Sequence, residues 1–308
     1  MNRFRNMLAQ TVMGCCLLAL MMLTSAGSSS AADANLPFRL PRPLASVAPA
    51  VKQAVPAEAS KVHVVLLVYG PNDWFGDACR ADVRGFKEML EAGFEAKKDR
   101  LVFHDYTAKN PTTEGDWTPE EILDDLETIE VGLNENIVVF HSGHGAIGDL
   151  SRPEETHILQ ICGKRTIARK TLQDKLRVKN PRGLTILTDC CSSHRPGIAM
   201  NRGPIGRFLV NSASVRNLFL RFAGNVSITA AENGTGALPT YSGPNPGAAG
   251  SAFTVALLRL LADGERTFGS WTDLFPVLKQ ETYAASSNLP GNRPHYAHSF
   301  AIDEITVP

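Results

Sequence analysis

Hydrophobic positions along this chain fall into two textures. Short runs rich in β-branched residues stop at a polar or turn residue: Val62–Tyr69 at Gly70, Ile137–Phe140 at His141, Leu184–Thr188 at Asp189, and Val226–Ala230 just before Glu232. Each is too short for a helix, and the nearly unbroken apolar character predicts strands buried on both faces. Leu101–Phe103 is a short strand candidate, His298–Ile305 is the last one, and His157–Ile161 reads as one arm of a hairpin turning at Gly163-Lys164. Between these runs apolar residues recur at helical spacing. Val83, Phe86, Met89 and Leu90 do so within Cys79–Leu90, and further helices are predicted over Ala168–Val178, Val215–Phe222, Ala252–Leu261 and Trp271–Ala284. Thr118-Pro119-Glu120-Glu121 is a helix start, with a capping hydroxyl, Pro in the first turn and Glu three residues after the cap. Strand and helix alternate throughout, which predicts one doubly wound α/β domain over residues 61–308.

The first 60 residues have a different texture. Arg3 and Arg5 precede an apolar stretch densest over Gly14–Leu23, and small residues follow from Thr24 to Ala34. That order predicts a secretory signal peptide over residues 1–32 and an exported, periplasmic or extracellular protein; an uncleaved membrane anchor is the competing reading. Pro37, Pro41, Pro43, Pro49 and Pro56 break any helix in the next stretch, so residues 33–60 read as a Pro/Ala-rich linker or propeptide.

Charge and cysteine content narrow the picture. The 308 residues carry 31 basic and 31 acidic side chains, so no global field draws the chain to nucleic acid, or to a membrane once the signal is removed. Of six cysteines, Cys15 and Cys16 lie in the signal stretch, which leaves Cys79, Cys162, Cys190 and Cys191. Four are too few for a disulfide-built scaffold of this size. Adjacent α-carbons sit about 3.8 Å apart, which disfavours a Cys190–Cys191 bridge; a Cys79–Cys162 bridge and two plain thiols both remain open.

The candidate chemistry lies where two strands end. Leu184–Thr188 stops at Asp189-Cys190-Cys191-Ser192-Ser193, and Ile137–Phe140 stops at His141-Ser142-Gly143-His144-Gly145. In an open parallel sheet, chemistry collects at the carboxyl ends of the strands. Were these two strands neighbours, about 4.8 Å apart, Cys191 and His144 would share that edge. A thiol beside an imidazole is the minimum equipment of a cysteine nucleophile.

These residues also carry a resemblance. Ser142-Gly143-His144-Gly145 followed by Asp189-Cys190-Cys191-Ser192-Ser193 resembles the caspase-like cysteine peptidases, and among them the metacaspases. Cys79-Arg80-Ala81-Asp82 and Gly250-Ser251-Ala252-Phe253-Thr254 resemble two further motifs of that family, in the same order. The resemblance implies a caspase-like three-layer sandwich with a mostly parallel central sheet of about six strands and helices on both faces. It assigns Cys191 as nucleophile, His144 as its partner, and the N–H groups of Gly145 and Cys191 as the oxyanion hole. It also sets Asp82 beside Asp189 in the substrate pocket. Two carboxylates grip a guanidinium in forked geometry better than an ammonium, so the expected cleavage is after Arg, with Lys second. The expected partner is a protein or peptide substrate with a basic residue at the cleavage site. No cofactor or metal is expected, and a calcium requirement is not readable from sequence.

One departure and three rivals accompany this reading. The family usually has Gly shortly after the nucleophile, where this chain has His194. An inactive caspase-like binding module is therefore one alternative, and a peptide ligase, in which an amine resolves the acyl-enzyme, is another. The third offers His141, His144, Cys190 and Cys191 to zinc. Adjacent cysteines on an extended chain point to opposite faces, which opposes it. If Arg is the target, Arg39, Arg42, Arg195, Arg202 and Arg207 are candidate self-cleavage points.

Overall fold

Apolar runs of the first texture do become strands. A computed structural model describes residues 57–69, 74–107, 117–161, 165–191, 209–232, 251–287 and 296–304. The signal stretch, most of the linker, Cys162 with the Gly163-Lys164 turn, His194, Gly250 and the five candidate self-cleavage arginines lie outside these residues. The strands are β1 (Lys61–Val68), β2 (Leu101–Asp105), β3 (Glu135–Ser142), β4 (Gly145–Ile147), β5 (His157–Ile161), β6 (Arg165–Ala168), β7 (Gly183–Asp189), β8 (Gly224–Thr229) and β9 (His298–Glu304). The helices are α1 (Trp74–Phe94), α2 (Pro119–Thr128), α3 (Pro153–Thr156), α4 (Arg169–Arg177), α5 (Ser212–Val215), α6 (Ala252–Ala262) and α7 (Trp271–Ser287).

Six strands form the central sheet in the order β2-β1-β3-β7-β8-β9. All neighbours pair in parallel except β8 with β9, which are antiparallel. The remaining three form a small antiparallel sheet, β4-β5-β6. The expected three-layer α/β sandwich with a mostly parallel six-stranded sheet is therefore what the chain builds.

Successive side chains on a strand point to opposite faces, and the two cores follow that alternation. Val62, Val64, Leu66 and Val68 of β1 join Val138 and Phe140 of β3 in the core shared with α1, α6 and α7. Val65 and Leu67 join Ile137, Val139 and Ile186 in the core shared with α2 and α4. The first core is pinned by the stacked pair Phe86–Phe140, with ring centroids 4.2 Å apart. Such pairs add about 0.5–1.5 kcal/mol beyond their buried area.

Several elements differ from the sequence pattern in extent. Helix α1 runs from Trp74 to Phe94, well beyond the apolar stripe at Cys79–Leu90. The predicted helix at Val215–Phe222 is the short α5, capped by Asn211, followed by a π turn over Arg216–Leu220. Domain contacts also begin before Lys61. The Ala59 N–H donates to Leu220 O and the Ser60 N–H to Asn134 O, both at 2.8 Å. Glu58 takes ion pairs from Lys97, from Arg100 at 3.0 Å and from Arg221 at 3.2 Å.

Candidate active site

The candidate residues leave the sheet along one rim. Strands β1, β3 and β7 end in step: Val68 pairs with Ser142, and Ser142 with Asp189. The next main-chain bonds continue the register, with Tyr69 N–H on Ser142 O and Gly143 N–H on Asp189 O, each at 3.0 Å. His144 thus follows the end of one central strand by two residues, and Cys191 follows the end of its neighbour by two.

Alternation then separates the two thiols. Cys191 belongs to the core on the α1/α6 side and Cys190 to the core on the α2/α4 side. Both are buried thiols, as is Cys79. Burial above all, with neighbouring Cys191 in second place, pushes the Cys190 thiol up to about 12. A thiol held that high gives almost no thiolate at neutral pH and is a poor nucleophile. Cys190 is therefore packing.

His144 is half-buried, and its ring stands edge-on to Tyr69 with centroids 4.8 Å apart. The glycines on either side are required by space. A Cβ on Gly145 would come within 2.7 Å of both the Cys190 Sγ and the Cys191 carbonyl oxygen. A Cβ on Gly143 would lie 2.8 Å from the Tyr69 Cβ and 3.0 Å from the His141 ring. The Gly145 contact brings the histidine loop directly against the Cys190-Cys191 backbone.

Asp82 and Asp189 are brought together around one residue, Ser251. Both acids are fully buried. Asp82 Oδ1 accepts the Ser251 N–H at 3.3 Å, and Asp82 Oδ2 accepts the Ser142 hydroxyl at 2.9 Å. Asp189 Oδ2 accepts the Ser251 and Thr254 hydroxyls. Ser251 also caps α6 by accepting the Thr254 N–H at 3.0 Å. The residues Gly250–Thr254, singled out as a motif, thus contain the donors that orient the two acids, and a role for Asp82 as a solvated surface acid is excluded by its burial.

No protein-family model matches this sequence, and no curated protein does. Among solved structures it is similar to caspase-1 from Spodoptera frugiperda: the two share 13% identity with a TM-score of 0.48, over 83% of this chain and 94% of that one.

One residue at the rim escaped the sequence reading. His157, on β5, is buried, and its Nε2 lies 3.1 Å from the Cys191 carbonyl oxygen and 3.5 Å from the Cys190 Sγ. Nothing in the local pattern distinguishes it from any strand histidine, because its partners are more than thirty residues away. His141, a member of the zinc alternative, points its Nε2 at Gln160 O, 3.0 Å away. Among the described residues no group of three or more His, Cys, Asp or Glu side chains is arranged to hold a metal ion.

Proposed function

We propose that this chain is an exported, caspase-like cysteine endopeptidase that cuts after Arg, with Lys second. The observation that supports the reading is the shared rim: β3 and β7 are paired neighbours ending in register at Ser142 and Asp189, and His144 and Cys191 each follow two residues later. In the proposed reaction the Cys191 thiol gives its proton to His144, and the sulfur attacks the substrate carbonyl carbon. The N–H groups of Gly145 and Cys191 donate to the oxyanion that develops, the contribution that in such sites is usually largest. His144 returns the proton to the departing amine, leaving a thioester on Cys191. Water activated by His144 then hydrolyses the thioester and regenerates the thiol.

Specificity follows from charge. Asp82 and Asp189 lie two hydrogen bonds apart through Ser251, and neither is compatible with an acidic substrate side chain. Kinetics on reporter peptides differing only in Arg, Lys or Asp before the scissile bond test the assignment, with Cys191→Ala as control. Arg ahead of Lys, with Asp inert, supports it; preference for Asp overturns it.

A further inference from the structure

Strand β5 reaches both candidate catalytic residues through their main-chain carbonyls. The Gln160 N–H donates to His144 O at 2.8 Å, beside the Gly145–Leu159 pairing of β4 with β5. Three residues earlier on β5, His157 Nε2 meets Cys191 O. His141 completes the arrangement by donating to Gln160 O. One strand of the small sheet thus grips the loops that leave two strands of the large one.

We infer that His157 is a positioning residue for the nucleophile: its Nε2–H holds the Cys191 carbonyl and thereby fixes the backbone rotation that aims the thiol. This rests on the reading of Cys191 as nucleophile. The ladder between β3 and β7 ends at the Ser142–Asp189 pair, two residues short of Cys191. Cys191 lies beyond it and is oriented by contacts such as this one. A carbonyl oxygen only accepts, so the bond requires the proton on Nε2. Nδ1 is then a bare acceptor, buried and without a hydrogen-bond partner among the described residues.

A competing role, base for the nearby Cys190, is excluded by the surroundings. The groups facing His157 are Arg169 from α4, His141 from β3, His298 and Phe300 from β9, and Cys190. The Arg169 guanidinium lies over the Phe300 ring at 4.6 Å. Burial first, then this cation, hold the imidazole down at about 3, while the Cys190 thiol is held near 12. Imidazole and thiol both stay neutral through the physiological range, so the pair exchanges no proton. His157 orients without titrating.

The test compares His157→Gln, whose carboxamide keeps an N–H near the imidazole Nε2, with His157→Leu, which removes the donor. Expected on a P1-Arg peptide is a fall in kcat of about 10- to 100-fold for His157→Leu, as misplacing a reacting group costs. KM should change little, and His157→Gln should recover most of the loss. Nitrogen-15 NMR of histidine in the unmutated protein should show His157 neutral and protonated on Nε2 from pH 5 to 8, a readout that needs neither variant to fold nor any activity. Equal kcat in the Leu variant, equal loss in both variants, or an Nδ1–H tautomer would overturn the inference. If Cys191→Ala cleaves as well as wild type, the nucleophile assignment fails and the inference falls with it. Loss in Cys191→Ala with no effect of His157→Leu removes only His157.

Discussion

The Ser142 hydroxyl, on the last residue of β3, donates to Asp82 Oδ2 on α1 at 2.9 Å. This bond ties an acid from the first helix to the strand that delivers His144 two residues later. It links the substrate-binding and catalytic halves of the proposed site. Removing one partner of a buried charge pair typically costs 2–5 kcal/mol, so Asp82→Asn should lower kcat/KM on a P1-Arg peptide by about 30-fold or more. Steady-state kinetics decide it, and an unchanged ratio of Arg to Lys cleavage would remove Asp82 from the pocket.

Gly145→Ala places a methyl carbon against the Cys190 sulfur and the Cys191 carbonyl. The backbone oxygen cannot move without moving Cys191, the proposed nucleophile. Overpacking of this kind costs about 1–3 kcal/mol of stability. Activity should fall much further than urea denaturation would suggest, because the displaced atoms belong to Cys191. A variant as active as wild type would show that the loop and Cys191 are not in contact.

Ser251 serves two acceptor-donor relationships with one hydroxyl, capping α6 and donating to Asp189. Ser251→Ala removes a cap worth about 1 kcal/mol and takes a donor from a buried carboxylate, worth about 1–3 kcal/mol. The denaturation midpoint should drop accordingly, and Ser251→Thr, which keeps the hydroxyl, should restore most of it.

Acid should destabilise the domain. Burial holds His104, His157 and His298 below the ordinary histidine value, His157 most strongly, at about 3. Unfolded chains protonate these rings near pH 6.5, so between that pH and the lowered folded values the unfolded state binds more protons. Stability therefore falls as pH drops through that window, with a limiting slope of about 1.4 kcal/mol per pH unit for each proton. Glu58, lowered chiefly by its bond from Lys97, acts in the same direction: its contribution is present above its unfolded pKa, about 4.3, and fades as pH falls through the lower folded value. Urea midpoints measured from pH 7 to pH 4 should decline, and His157→Gln should decline less. A flat profile would contradict the burial of these rings.

Much of the architecture was legible because the central strands are buried on both faces and therefore almost wholly apolar, as Val62–Tyr69 and Leu184–Thr188 show. The capping box at Thr118 was legible for a local reason, since donor and acceptor are three residues apart. Strand β4 was not, because three residues, Gly145-Ala146-Ile147, carry no periodicity and are strand only by pairing with β5. His157 escaped because its contact to Cys191 spans 34 residues, and Ser251, though its motif was singled out, could not be tied to Asp189 because that contact spans 62. Asp82 could be named from its motif, but its full burial depends on how α1 lies against β3.

The central claim is that Cys191, not the adjacent Cys190, is a nucleophile activated by His144. Reacting the purified protein with an irreversible, Arg-directed cysteine probe and identifying the modified residue by peptide mass spectrometry tests it most directly. Label on Cys191, abolished in Cys191→Ala and sharply reduced in His144→Ala, is the predicted result. Label on Cys190, or labelling that persists without Cys191, would contradict it.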